Sequence, residues 1–231
     1  MGTVGIVGGI APESTIQYYR LLVDQYREEV RDGSYPSIVI NSIDMTRMLG
    51  LIGSGDLSGV TSYLLGEITR LERAGADVCL LASNTPHIVF NELRRATTTP
   101  LISIVECAAN AARERGLTKV GLLGTRFTMN GQFYRDALAN AGIALVIPSE
   151  DEQEFIHTVY MTELVRGVYR AENRERVFHI TRAMQARDAI DGLILGGTEL
   201  PLLLGDGGDA TLPMIDTTRV HVAEAVKWLV R

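Results

Sequence analysis

Cysteine is scarce in this chain, with only Cys79 and Cys107 among 231 residues, and the two stand in no metal-ligand spacing. A disulfide framework and a cysteine-built metal centre are thereby excluded. Basic residues are outnumbered, 22 against 28 acidic for a formal charge of −6, and they are interspersed, not gathered into a stripe. Nucleic acid is not an expected partner. No apolar run approaches the ~18 residues that a membrane span requires, so no membrane partner is expected either. The N-terminus lacks the charged, apolar and small-residue order of a secretory signal, which makes the cytoplasm the expected location. What remains is a globular composition, 46% hydrophobic and 22% charged. The length suits one large domain or two of about 100 residues each.

The chain repeats itself. "VGIVGGIAPESTIQYYRLL" from Val4 returns as "VGLLGTRFTMNGQFYRDAL" from Val120, an offset of 116 residues, while Tyr19 and Arg20 pair with Tyr134 and Arg135 at 115. "GADVCLLASNT" is echoed by "AIDGLILGGTE", with Asp77 opposite Asp191 at 114, and "PLISIVECAANAA" by "PMIDTTRVHVAEAV" at 113. Four echoes in the same order at slowly drifting offsets point to an internal duplication.

Each half alternates short apolar runs with amphipathic stretches. "TVGIV", "SIVIN" and "DVCLLA", then "KVGLL", "IALVI" and "DGLIL", are near-continuous apolar runs, as expected of strands covered on both faces. Between them, Ile16, Tyr19, Leu22, Val23, Tyr26 and Val30 mark one helix face and Val60, Leu64, Ile68 and Leu71 another. In the second half, Phe133, Ala137 and Ala141 mark one helix, Phe155 and Val159 a second, and Val177, Ile180 and Met184 a third. This alternation predicts two pseudo-symmetric α/β domains with parallel sheets. The expected boundaries are 1–99 plus 212–231 for the first domain and 100–211 for the second, with the C-terminal helix returning to the first.

Parallel sheets bind ligands beyond the carboxyl ends of their strands. Those ends carry "GGIAPEST", "ASNTPH", "GTRFTMN" and "GGTELP", all rich in small or hydroxyl residues with backbone N–H groups suited to a small anion. If the halves face each other, the four loops converge on a cleft in which Ser83 and Gly197, 114 residues apart, are counterparts. A nucleotide cofactor is not expected, because "VGIVGGIAPEST" lacks the G-x-G-x-x-G spacing.

The whole chain resembles the cofactor-independent aspartate/glutamate racemase superfamily. The likeness is carried by "GIVGG" with Pro12, "YPSIVINS", "SNTPH", "GLLGT", "GTELPLLL" and "PMIDTTRVH". It implies two pseudo-symmetric α/β domains, a site in the cleft between them, no cofactor, no metal, a small carboxylate as the partner, and a homodimer as an assembly seen in the family. Inverting a carbon without a cofactor needs one group to take the α-proton and another to return a proton on the opposite face. The resemblance implies a pair of cysteines for this, one before the "NT" motif and one in a "G-C-T-E" motif. Those positions are Ser83 and Gly197 here. A serine hydroxyl is a far weaker acid than a thiol and needs a neighbouring base, and glycine offers no proton. Cys79, inside its apolar run, and Cys107, in a helical stretch, read as packing residues and rescue nothing.

By the same resemblance Gly9, Asn84, Thr85, Thr125 and Thr198 are expected around the substrate carboxylates, with Thr128 either joining them or capping the helix that contains Phe133. His87 reads either as a base beside Ser83 or as a packing residue at a helix start. Glu199 either meets substrate or holds its loop through backbone N–H groups. Arg47 is placed to grip a distal carboxylate bidentately, or to sit solvated on the surface. Tyr160 and His157 belong to a segment near the cleft, though their spacing also suits a helix face. Asp216 and His221 read as interdomain structure. The expected function is that of an aspartate/glutamate racemase-like protein in which two-base racemisation is absent or very slow. The alternatives are a lyase, decarboxylase or one-sided isomerase using Ser83 with His87 or a water, and a non-catalytic carboxylate-binding protein.

Overall fold

The computed structural model describes residues 2–205 and 212–230. Residue 211, where the second domain is expected to end, lies outside the described residues. The chain divides into two compact units, Met1–Ile104 with His221–Arg231, and Val105–Val220.

The first unit runs β1 (Thr3–Gly8), α1 (Pro12–Val30), β2 (Ser37–Ser42), α2 (Met45–Gly53), α3 (Leu57–Arg73), β3 (Val78–Leu81), a 3-10 turn (Thr85–Val89), α4 (Phe90–Ala96) and β4 (Leu101–Ile102). The second unit follows with α5 (Ile104–Glu114), β5 (Lys119–Gly124), α6 (Arg126–Asn130), α7 (Gln132–Asn140), β6 (Ala144–Val146), α8 (Glu150–Thr162), α9 (Ala171–Asp188), β7 (Gly192–Gly196), α10 (Leu200–Leu204) and β8 (Met214–Asp216). The last helix, α11 (Thr217–Leu229), contains the boundary between Val220 and His221. Each unit has a four-stranded parallel sheet, ordered β2-β1-β3-β4 and β6-β5-β7-β8, so the duplication is one of topology as well as of sequence. No helix among the described residues is long and apolar enough to cross a membrane.

Register shows how closely the copies match. In the first sheet Val7 pairs with Leu81, and in the second Leu123 pairs with Leu195. Ahead of β3 the Asp77 carboxylate accepts the Thr3 N–H at 2.8 Å, and ahead of β7 the Asp191 carboxylate accepts the Thr118 N–H at 2.7 Å and the Lys119 N–H at 3.0 Å. Each aspartate ties the start of one strand to its neighbour through charge-assisted bonds. Asp191→Ala is expected to cost about 2 kcal/mol of unfolding free energy, because backbone donors lose a charged acceptor. Urea denaturation measures it, and a loss within error of zero would show that water replaces the carboxylate.

The central strands are buried along almost their whole length, whereas β2, at a sheet edge, has only exposed and half-buried positions. The expectation that "SIVIN" is covered on both faces is therefore corrected, because no position of β2 is fully buried. Two helix faces also differ from expectation. In α1 the buried residues are Ser14, Tyr18, Leu22 and Tyr26, while Ile16 and Tyr19 are about half exposed at 47% and 51%. In α7 they are Tyr134 and Leu138, not Phe133, Ala137 and Ala141. The buried stripe runs at four-residue steps through the large side chains, and both helices use a tyrosine to fill the space behind the sheet. By burial the counterpart of Tyr134 is Tyr18, both fully buried, and not Tyr19. The 116-residue offset of Val4 and Val120 thus continues into the helix. The helix faces expected of α3 and α9 are the buried ones.

The first core joins Val4, Ile6, Tyr18, Leu22, Tyr26, Val78 and Leu80 to Val222, Ala225, Val226 and Leu229 of α11. The second gathers Leu123, Leu193 and Leu195 of the sheet with Ile156, Val159 and Tyr160 of α8 and Val177, Ile180 and Met184 of α9.

Candidate active site

In the first unit the polar loops meet at the carboxyl end of the sheet. β1 ends in Gly8 and Gly9, and Gly9 has φ +81°, a backbone that favours glycine. A Cβ there would stand 2.5 Å from the Ile43 carbonyl oxygen. The turn therefore lies hard against the segment after β2, whose Ile43 N–H donates to the Gly8 carbonyl at 2.9 Å. The Gly9 N–H itself donates to Thr15 Oγ1 at 2.8 Å, which engages the donor that the sequence suggested for a substrate carboxylate. Ser14 Oγ donates to the Ala82 carbonyl at 2.7 Å, tying the start of α1 to the end of β3.

Ser83 follows β3, with its N–H on the Leu81 carbonyl at 2.8 Å. Asn84 and Thr85, 2% and 6% exposed, open the 3-10 turn, and Pro86 sits in its first turn, where a missing N–H costs nothing. His87 is 3% exposed and faces inward. Its Nδ1 lies 3.1 Å from the Ser83 carbonyl oxygen, and its Nε2 receives the Ile104 N–H at 3.2 Å. Those partners assign the tautomer: Nδ1 carries the proton and Nε2 is the acceptor. Of the two readings of His87, as a base beside Ser83 or as a packing residue, this geometry matches the packing one. Both nitrogens are engaged by backbone, and the bond to residue 83 goes to its carbonyl and not its hydroxyl. Burial, with the nearby His221 adding to it, pushes the His87 pKa down to about 3.

Arg47 is exposed on α2, and its guanidinium lies over the Tyr63 ring at 4.4 Å to the centroid. The Asp44 N–H donates to the Tyr63 hydroxyl at 3.2 Å. The arginine is thus a surface residue stacked on Tyr63, with no protein carboxylate among its described contacts.

In the second unit β5 leads into Thr125, whose Oγ1 accepts the Thr128 N–H at 3.3 Å and caps α6. Thr128 is fully buried inside α6, its hydroxyl 3.1 Å from that of Thr125. It does not cap the helix containing Phe133. That helix is α7, and its cap is Gly131, because the "FTMN" segment forms a short helix of its own. His157 of α8 accepts the Arg126 N–H on Nδ1 at 3.3 Å.

After β7 come Gly197, Thr198 and Glu199, all buried, and then α10 with a proline in its first turn, as in the first unit. Leu81 and Leu195 occupy the same point of the two sheets, so Ser83 and Gly197, two residues further on, are structural counterparts. Gly197 is walled by Tyr160: a Cβ on it would lie 2.4 Å from Tyr160 Cε2 and 3.1 Å from the hydroxyl oxygen. The Tyr160 hydroxyl donates to Glu199 Oε2, which also accepts from Thr198 Oγ1 at 2.9 Å. Burial, then the Glu199 charge, raises the Tyr160 pKa well above its ordinary value. The family resemblance put residues 160, 197 and 199 near one site, but no local pattern predicts this contact between α8 and the turn before α10.

Asp216 accepts the N–H groups of Thr218 and Arg219 at 2.9 and 3.1 Å and so starts α11. His221 is fully buried between the Tyr18 hydroxyl, 2.7 Å from Nδ1, and the Ile102 carbonyl, 2.9 Å from Nε2, partners that both belong to the first unit. Sequence reasoning did not find this Tyr18–His221 link. Cys79 is fully buried in β3, its thiol pushed up to about 12 by burial and by the charge of Glu72, and is no nucleophile. Among the described residues no group of three or more His, Cys, Asp or Glu side chains is placed to hold a metal.

Two like parallel sheets, each ending its third strand in a buried polar turn followed by a proline, define a duplicated α/β protein. The chain belongs to the Asp/Glu/hydantoin racemase family, whose sequence profile matches residues 7–225. It is similar to a proposed Asp/Glu racemase from Yersinia pestis, 30% identical with both chains covered in full and a TM-score of 0.90. It is likewise similar to an aspartate racemase homologue from Pyrococcus horikoshii, 32% identical over the full length of both, with a TM-score of 0.85. A broad-specificity amino-acid racemase of Bacillus subtilis is 23% identical over 224 residues, 93% of this chain and 92% of that protein. The family's racemases are isomerases, and amino-acid carboxylates are their substrates.

Proposed function

We propose that this protein binds a small amino dicarboxylate, of the aspartate or glutamate class, and that it does not racemise it by a two-base route at any appreciable rate. One observation carries this reading. The two structurally equivalent turns offer Ser83 on one side and Gly197 on the other, and neither supplies a thiol. Stereochemical inversion needs a proton donor and a proton acceptor on opposite faces, each with a pKa near working pH. The engaged nitrogens of His87 argue against an activated Ser83. Asn84, Thr85, Thr198 and Arg47 are the groups proposed to meet the ligand's carboxylates.

Chiral chromatography of L- and D-aspartate and of L- and D-glutamate after incubation with the protein tests the reading. The expected result is no interconversion beyond the protein-free control, together with thermal stabilisation by one of the four amino acids. Ligand at about 100 times its Kd adds roughly 2.7 kcal/mol to stability, an easily measured rise in Tm. Fast interconversion would end the reading.

A further inference from the structure

The second half-site holds more than a missing thiol. Gly197 has no side chain, yet the space beside it is filled: the Tyr160 ring reaches from α8 to within 2.4 Å of where a Cβ would stand, and its hydroxyl oxygen lies 3.1 Å from that point. A polar oxygen therefore stands 3.1 Å from the Cβ position of residue 197, close beside the Gly197 backbone. That oxygen is not isolated. It donates to Glu199 Oε2, and Thr198 Oγ1 donates to the same carboxylate oxygen at 2.9 Å. Tyr160, Thr198 and Glu199 are 6%, 1% and 1% exposed, so water competes little for these bonds.

We propose that the Tyr160 hydroxyl and the Glu199 carboxylate form a proton relay in place of a side chain at position 197, and that this relay exchanges the α-proton of a bound amino dicarboxylate from one face. The proposal rests on the carboxylate-binding reading above. The step balances without a further reactant. The C–H bond pair stays on the substrate as an enediolate on its α-carboxylate, and the α-proton passes to the Tyr160 oxygen. As it arrives, the phenol's own proton moves along the existing hydrogen bond to Glu199. Tyr160 ends the step as a neutral phenol and Glu199 as a neutral acid. Direct use of the phenol is disfavoured in either direction: a phenolate would stand beside the Glu199 charge, and burial holds the phenol protonated. A relay avoids that charged form because one proton leaves as the other arrives. Reversal returns a proton to the same face, so configuration is retained. After Glu199 exchanges with solvent, the returned proton is solvent's.

The test is made in D2O with each enantiomer of aspartate and of glutamate, following loss of the α-proton by NMR, handedness by chiral chromatography and binding by thermal shift. The expected result is wash-out from one enantiomer with its configuration kept. Tyr160→Phe keeps the ring against Gly197 and is expected to slow the wash-out at least about 100-fold, the scale of losing a positioned acid–base group. Glu199→Gln is expected to do the same, and both variants should keep the thermal shift given by the ligand. Wash-out unchanged in Tyr160→Phe overturns the relay. So does stabilisation by an amino acid with no wash-out from any of the four, and in that case the binding reading stands. Absence of stabilisation and of wash-out overturns both. Racemisation that disappears in Tyr160→Phe supports the relay and ends the one-face restriction.

Discussion

Lowering the pH from 7 to 5 is expected to cost the first unit about 4 kcal/mol of unfolding free energy, about 2 kcal/mol for each of its two buried histidines. Burial depresses both: His87 to about 3, with the His221 charge contributing, and His221 to about 4 against the hydrogen bond to the Ile102 carbonyl. The unfolded chain takes up protons at the ordinary histidine pKa near 6.5. Below that pH the unfolded state binds more protons than the folded one, so stability is complete above about 6.5 and declines as pH falls towards the folded values. The structural reason is that each neutral ring has an acceptor nitrogen already in use. Ile104 donates to His87 Nε2, so protonation there sets a donor against a donor, and the Tyr18 hydroxyl is paired with His221 Nδ1 in a fully buried setting where a charged ring loses its hydration. The ring centroids are 6.4 Å apart, so charging one opposes charging the other. Urea unfolding at the two pH values measures the loss, and His221→Gln should remove about half of the pH dependence. Equal stability at pH 7 and pH 5 would falsify the assignment of neutral, paired rings.

Gly197→Ala is expected to destabilise the second unit by about 3 kcal/mol, the upper range for overpacking a filled core. The new methyl would meet Tyr160 Cε2 at 2.4 Å and Cζ at 3.0 Å, and the ring is held by its bond to Glu199 and by packing in the second core. It cannot swing away without breaking that bond. In a Tyr160→Ala background the same substitution should cost close to nothing, since the obstructing ring is gone. The coupling across this double-mutant cycle is the measured quantity, and contacting residues typically show 0.5–3 kcal/mol of it. Additive costs would mean that the space beside Gly197 is open. The same crowding predicts that Gly197→Cys alone does not create a working thiol: its Cβ meets the same ring before the sulfur is placed.

The duplication, the strand alternation and the polar turns were legible in the sequence because each is a local pattern of apolar period and turn residues. The pairing of Ser83 with Gly197 was legible too, since the repeat offsets alone align them. Other features were not. The aligned echo matched Tyr19 with Tyr134, whereas burial matches Tyr18 with Tyr134, because adjacent tyrosines are equivalent to a sequence comparison and opposite in a helix that rotates about 100° per residue. Thr125, Thr128 and Gly9 looked alike as donors near strand ends. In the fold the hydroxyl of Thr125, which caps α6, pairs with that of Thr128 inside it, and Gly9 donates to Thr15.

By itself the amino-acid sequence determined the fold class, the internal repeat, the family and the absence of thiols at residues 83 and 197, because composition, periodicity and identity at a position are properties of the chain. Only the tertiary structure decided that His87 is locked by backbone on both nitrogens, and that the place beside Gly197 is taken by a tyrosine joined to Glu199. Those facts depend on atoms brought within about 3 Å from residues far apart in the chain, and hydrogen bonds and van der Waals contacts act only at such distances.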